Sequence, residues 1–203
     1  ENDLFIISDE VYRKMTFDGL KSYSMAELDG IADRLVVIDS VSKRFSACGA
    51  RIGNISSKNK ELISNILKLC QARLCVATLE QIGAAKLYKL PESYSEEIKT
   101  IYEKRRDIVF QTLSDIPNVV CKKPQGAFYV VAKLPVKNAE DFCVWLLDTY
   151  NHNGENVMLA PEEVLYATKG LGKDEVRIAY VLNEEDMERA MFILREALKI
   201  YNQ

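Results

Sequence analysis

Short continuous apolar runs and longer amphipathic stretches alternate along the chain. LFIIS at 4–8 has the length and composition of a strand buried on both faces, and LVVIDS at 35–40 is a second. RIGNISS at 51–57 is a third, weaker one. Between the first two, KSYSMAELDGIADR predicts a short helical or irregular connection. From Lys58 to Cys75, Leu62, Ile63, Ile66, Leu67 and Cys70 recur at helical spacing. Thr78 to Leu90 continues helical and stops at Pro91. Ser93 to Leu113 predicts one long amphipathic helix. Tyr94, Ile98, Ile101, Tyr102, Ile108 and Val109 lie on one side of it, and EEIK and EKRRD form a solvated face. Strands joined by crossovers predict an α/β sheet.

After Pro117 the pattern changes. NVVCKKPQGAFYVVAKL holds two strand-like segments around Pro124 and Gly126, a hairpin-like signal. Ala139 to Tyr150 predicts a helix with Phe142, Trp145 and Leu146 facing inward. NVMLAP (156–161) and EVRIAYVL (175–182) predict strands. Glu184 to Tyr201 closes with Met187, Ala190, Met191, Leu194, Leu198 and Tyr201 in helical register. This is a smaller α+β unit. The long helix from Ser93 to Leu113 could bridge two domains.

Composition narrows the function classes. The 203 residues are 48% hydrophobic and 28% charged, ample for a globular core. A net charge of -3 favours neither nucleic acid nor an anionic membrane as partner. No apolar run is long enough to cross a bilayer. Five cysteines, no C-x-x-C and one histidine argue against a disulfide framework or a zinc site. They predict free thiols in the core, no metal and a reducing cytoplasm. The chain starts at Glu1 and opens almost at once on a strand, so it is expected to be a piece of something longer.

Three constellations carry candidate chemistry. In IDSVSKRFSACGARIG (38–53) an apolar strand runs into Lys43, hedged by serines and followed by small residues. Burial disfavours the ammonium, so a desolvated lysine at a strand end suits Schiff-base chemistry. Ser40, Ser42 and Arg51 can converge on a phosphate, and Gly49 and Gly53 allow close backbone approach. Lysine and phosphate cradle together suit a phosphorylated aldehyde. In SDEVY (8–12), Asp9 at a strand end could pair with a protonated ring nitrogen and Tyr12 with a ring oxygen. An N-cap aspartate and a packed tyrosine fit those residues as well. In VRIAYV, Arg177 sits inside an apolar strand and needs an anion, either a substrate carboxylate or a structural partner.

On these residues the chain resembles the C-terminal half of the class I (fold type I) pyridoxal-phosphate aminotransferases. SVSKRFSACGARIG fits every slot of the family's attachment-site pattern, including the eight steps from lysine to arginine. Asp9 and Tyr12 match D-x-x-Y, Gly126 to Tyr129 match G-A-F-Y, and Arg177 lies in the R-I-A-Y strand. The resemblance implies part of a three-layer α/β/α large domain with a mostly parallel sheet over 1–105, plus a C-terminal α+β small domain over 106–203. It implies pyridoxal 5′-phosphate held as an internal aldimine by Lys43, the catalytic base. Asp9 would hold the ring nitrogen and Tyr12 the phenolic oxygen. Ser40, Ser42 and Arg51 would bind the phosphate, and Arg177 would clamp the substrate α-carboxylate. The substrates would be an amino acid, aspartate in the nearest pattern with alanine or aromatic amino acids left open, and a 2-oxo acid such as 2-oxoglutarate. Arg73 falls near where some members carry an arginine for a second carboxylate; a solvated helix-end arginine is the alternative.

The resemblance also implies what is absent: a glycine-containing phosphate loop, a ring-stacking aromatic and an asparagine supplied by the family's first half. Members work as homodimers, so this chain alone is expected to be inactive or very weak. APEEVLY departs from the family, which often has glycine and phenylalanine after A-P. A lyase or decarboxylase on the same fold, or a cofactor-binding regulator, remain the other readings.

Overall fold

A computed structural model describes residues 4–203. They form two compact units, the first ending at Glu97 and the second running from Ile98 to Gln203.

In the first unit β1 (Ile6–Asp9), β2 (Leu35–Ser40) and β3 (Gly53–Ser56) make a sheet in that order. β1 and β2 run parallel, with Asp9 opposite Ile38. β3 returns antiparallel, with Gly53 opposite Ser40. The carboxyl ends of β1 and β2 therefore share one edge, where α/β sheets place ligands. The β1–β2 connection holds two single-turn helices, Met25–Glu27 and Ala32–Arg34, the first closed by a Ser24/Glu27 capping box. It buries Met15 and Phe17, which carry no periodic signal in the sequence.

The expectation of a β1 buried on both faces needs correcting. Its burial alternates, and Ile7 is 69% exposed. In the described sheet β1 is an edge strand, and one of its faces has no cover.

Four helices follow β2: α1 (Val41–Arg44), α2 (Lys60–Ala72), α3 (Thr78–Leu87) and α4 (Glu92–Ser114). Asn59 caps α2, its Oδ1 accepting Leu62 N–H at 2.9 Å. α2 has the apolar stripe its sequence predicts but buries none of its residues fully. The boundary between the two units falls within α4.

The second unit has an antiparallel sheet, β4 (Val120–Cys121), β5 (Tyr129–Lys133), β6 (Ala160–Pro161) and β7 (Glu175–Ala179), in the order β4-β5-β7-β6. α5 (Ala139–Asp148) and α6 (Glu184–Tyr201) complete it. Val130 and Ala132 of β5, and Val176 and Ile178 of β7, are buried. So are Phe142 and Leu146 of α5 and Met187, Met191, Leu194 and Leu198 of α6. Tyr201 meets Phe142 edge-on at 4.9 Å.

Two predicted elements come out differently. NVMLAP pairs only at Ala160–Pro161. Upstream, the Asn156 amide donates to the carbonyls of Leu146 and Tyr150, docking that segment on the end of α5 instead of a sheet. β4 and β5 do pair, but residues 122–128 between them form a long loop and not a tight turn. Arg106, 1% exposed, reaches from α4 to donate to the Pro124 carbonyl at 3.1 Å and holds that loop in place. The five thiols are free, yet only Cys143 is buried, so the core expectation holds for that one alone. Among the described residues no helix is long and apolar enough to cross a membrane.

Candidate active site

Lys43 is aimed by its neighbours. Val41 and Phe45, four residues apart, share one face of the single-turn helix α1. Both are buried with Ala84 of α3, and Ile52, Leu87 and Tyr94 pack around them. The Phe45 ring meets Tyr88 edge-on at 5.3 Å and stacks on Tyr94 at 6.0 Å. Burial of that pair turns Lys43, between them in sequence, to the opposite side. There it is half-buried, with Nζ 5.9 Å from the centre of the Tyr12 ring. Residues 31 apart in sequence thus meet at the edge formed by the ends of β1 and β2.

Ser40 and Ser42 stand at the start of α1. The Ser40 hydroxyl accepts Ser42 N–H at 3.0 Å as N-cap. It also lies 2.7 Å from the Ser42 hydroxyl and 2.9 Å from the Ile52 carbonyl. Its one proton serves a single acceptor at a time, so Ser40 is partly committed to shaping the loop. Arg51 is exposed and left-handed at φ 56°, ψ 37°. A non-glycine residue there is strained, and such strain clusters at ligand sites. Its Nη1 donates to the Cys48 carbonyl at 3.1 Å. The two glycines are not demanded by close contacts: a Cβ at Gly49 would meet open space, and one at Gly53 only the Asp39 carbonyl at 3.4 Å.

Asp9 ends β1 with an exposed carboxylate. Its Oδ1 accepts Val11 N–H at 3.2 Å. The next residue, Glu10, gave no signal of its own in the sequence. Its buried Oε1 accepts from the hydroxyls of Ser8 and Ser24, at 3.2 and 2.8 Å, and from Met25 N–H at 3.0 Å. Arg13 Nε lies 3.0 Å from Oε2. Glu10 therefore ties the turn carrying Tyr12 to the end of β1. Asp39 and Tyr88 form a second pair that no local pattern in the sequence marks. Burial raises the Tyr88 hydroxyl pKa, and the Asp39 charge adds to it.

Arg73 caps the carboxyl end of α2 and is exposed. With Arg51 it lines an open groove of about 860 Å³ that also includes Ile55, Leu67 and Leu74.

In the second unit Arg177 projects from β7 with its guanidinium carbon 5.5 Å above the Tyr129 ring. Of the two anions its sequence allowed, a protein partner is present: Glu162 Oε1 lies 3.5 Å from Arg177 Nε. Glu162 belongs to the A-P-E-E segment that departs from the family pattern, the one signal that could have pointed to it. Nearby, the Tyr166 hydroxyl donates to Glu175 at 2.5 Å. Gly172 is required there, since its φ is 71° and a Cβ would fall 2.4 Å from the Tyr166 ring.

The first unit carries an amine, a carboxylate, a phenol and two hydroxyls at or beside the ends of β1 and β2, and a guanidinium just before β3. These groups fit the aldehyde, ring nitrogen, phenolic oxygen and phosphate of pyridoxal 5′-phosphate. No group of three or more metal-ligating side chains occurs among the described residues.

Comparison with known proteins agrees. Residues 1–194 match the family described as aminotransferase class I and II. The chain is 31% identical to aromatic-amino-acid aminotransferase 2 of Thermococcus litoralis, over 98% of this chain and 50% of that protein. It is also 31% identical to the aspartate aminotransferase of Bacillus subtilis, over 94% of this chain and 48% of that one. The crystal structure of an aromatic aminotransferase from Pyrococcus horikoshii superposes with a TM-score of 0.85 at 29% identity, covering 98% of this chain and 52% of that one. The chain thus spans about half the length of the relatives it matches. The lysine-bearing α/β sheet, the arginine-bearing α+β unit and these matches together make the chain a member of the class I and II aminotransferases, the family whose cofactor is pyridoxal 5′-phosphate.

Proposed function

We propose that this chain is the lysine- and arginine-bearing half of an aminotransferase. In this reading the amino group passes from aspartate to a 2-oxo acid such as 2-oxoglutarate. The approach of Lys43 Nζ to the Tyr12 ring, at the edge where Asp9 and Ser40 end their strands, carries the proposal. When bound, pyridoxal phosphate supplies an electron sink for the bonds at the substrate Cα. Lys43 would hold the cofactor at its aldehyde through Nζ, and the same Nζ would act as the base for the substrate Cα proton. Asp9 holds the ring nitrogen protonated by offering it a carboxylate. Tyr12 donates to the phenolic oxygen. Arg51, Ser42 and, more weakly, Ser40 hold the phosphate by charge-assisted hydrogen bonds. Arg177 fixes the substrate α-carboxylate and with it the direction of the Cα–H bond. Arg73 is the candidate for the second carboxylate of aspartate.

The assembly assigned to the whole protein is a homodimer in the cytoplasm, with no nucleic-acid or membrane partner. The proposed domains are 1–105, the later part of the cofactor-binding domain, and 106–203, the small domain, a division eight residues beyond the Glu97 boundary of the compact units and within the same helix α4. The 203-residue chain by itself is expected to show little or no transamination.

A titration with pyridoxal phosphate tests the reading. The cofactor's visible band should form with the full-length protein, vanish in its Lys43→Ala variant and bleach on adding aspartate. An equally strong band in Lys43→Ala would overturn the assignment of Lys43. A band bleached by phenylalanine but not aspartate would overturn the substrate.

A further inference from the structure

Arg177 already faces a carboxylate. Glu162 is pinned by its backbone, its N–H donating to the Glu175 carbonyl at 3.0 Å next to the Ala160–Arg177 pair. Its side chain is 8% exposed, against 40% for Arg177. At 3.5 Å, Oε1 is too far from Arg177 Nε for a good hydrogen bond, and this buried oxygen has no hydrogen-bond partner among the described residues. A buried carboxylate attracted by a guanidinium but not hydrogen-bonded to it bears desolvation without directional compensation. Such a contact is loose and exchangeable. Of the other described groups near Arg177, the Tyr129 ring is uncharged and Glu175 accepts the Tyr166 hydroxyl.

We propose that Glu162 is a tethered carboxylate that competes with the substrate carboxylate for Arg177 and so sets the affinity of the clamp. The inference rests on the reading of Arg177 as that clamp. It holds for either approach of the incoming anion. A carboxylate at the Nε edge must displace Oε1. A carboxylate at the outer edge meets a guanidinium already neutralised, with a second anion a few ångströms away. Both weaken binding of amino acids and 2-oxo acids through their carboxylates.

The test is a titration of the 203-residue chain with maleate, followed by amide NMR shifts at Val176 and Ile178. Glu162→Gln and Glu162→Gly should each bind maleate about tenfold tighter, the scale of one charge-assisted contact. The second variant guards against a local misfolding of the first, since the backbone at 162 (φ -98°, ψ -14°) suits any residue. Arg177→Ala should lose the binding, and adding Glu162→Gln to it should restore nothing. If both Glu162 variants bind no tighter than the wild type while Arg177→Ala loses binding, Glu162 merely orients the arginine and the inference falls, with the clamp reading intact. If Arg177→Ala binds like the wild type, the clamp reading falls and the inference with it.

Discussion

Replacing Glu10 with alanine tests how the edge carrying Asp9 and Tyr12 is held together. The carboxylate collects two hydroxyls and one amide on Oε1, with Arg13 beside Oε2. Hydrogen bonds to a charged acceptor are worth about 1.5–3 kcal/mol each, but they do not sum here. The hydroxyls of Ser8 and Ser24 can turn toward water, and the partly exposed Arg13 adds little after screening. The Met25 amide cannot turn away, and leaving it unpaired costs about 1–3 kcal/mol. The loss for Glu10→Ala is therefore about 2 kcal/mol, equivalent to a roughly 30-fold change in a local opening equilibrium. Glu10→Gln keeps an acceptor oxygen in place and should cost about 1 kcal/mol. Hydrogen exchange reads this directly. The Glu10 amide, bonded to the Ile38 carbonyl at 2.8 Å, and the Glu27 amide, bonded to the Ser24 carbonyl at 3.0 Å, should lose protection in the alanine variant. Affinity for pyridoxal phosphate should fall in parallel, because Tyr12 rides on the same turn. Protection of both amides within about threefold of the wild type would refute the reasoning, since the turn would then be held by something other than Glu10.

Two further outcomes follow from single sites. Arg189 hydrogen-bonds Glu155 through Nε at 2.9 Å and Nη2 at 2.5 Å, which holds the carboxyl below its usual 4.5 against the opposing effect of desolvation. Its folded value is the depressed one, so the stabilisation is complete above pH 4.5 and is lost as pH falls through the folded value. The drop in melting temperature from pH 7 to pH 3 should be smaller in Glu155→Gln than in the wild type; an equal drop would contradict this. Burial, then the charge of Glu140, pushes the Cys143 thiol up to about 11. Iodoacetamide at pH 8 should modify the exposed Cys48 and Cys75 well before Cys143, which peptide mass mapping resolves. Early labelling of Cys143 would show that its site opens readily.

The sequence by itself determined the order of elements and the place where an apolar strand runs into Lys43. LVVIDS became β2 and Glu184–Tyr201 became α6 because their signals are local, an apolar run in one and a helical stripe in the other. Lys43, Asp9 and Arg177 were legible for a related reason. Each breaks the apolar pattern of the segment it stands in or ends, and local chemistry has to account for it. Tertiary structure decided what depends on residues distant in the chain. The approach of Tyr12 to Lys43 needs the parallel pairing of β1 with β2, which no spacing encodes. NVMLAP has the makings of a strand, yet the Asn156 amide finds carbonyls at the end of α5, and side-chain docking outcompetes the ladder there. The half-exposed β1 reflects cover, a property of whatever packs on a strand and not of the strand. Glu162 is the clearest case. In the sequence it is one acid in a run of two, and only the pairing of β6 with β7 brings its carboxylate to Arg177 and gives that charge a consequence.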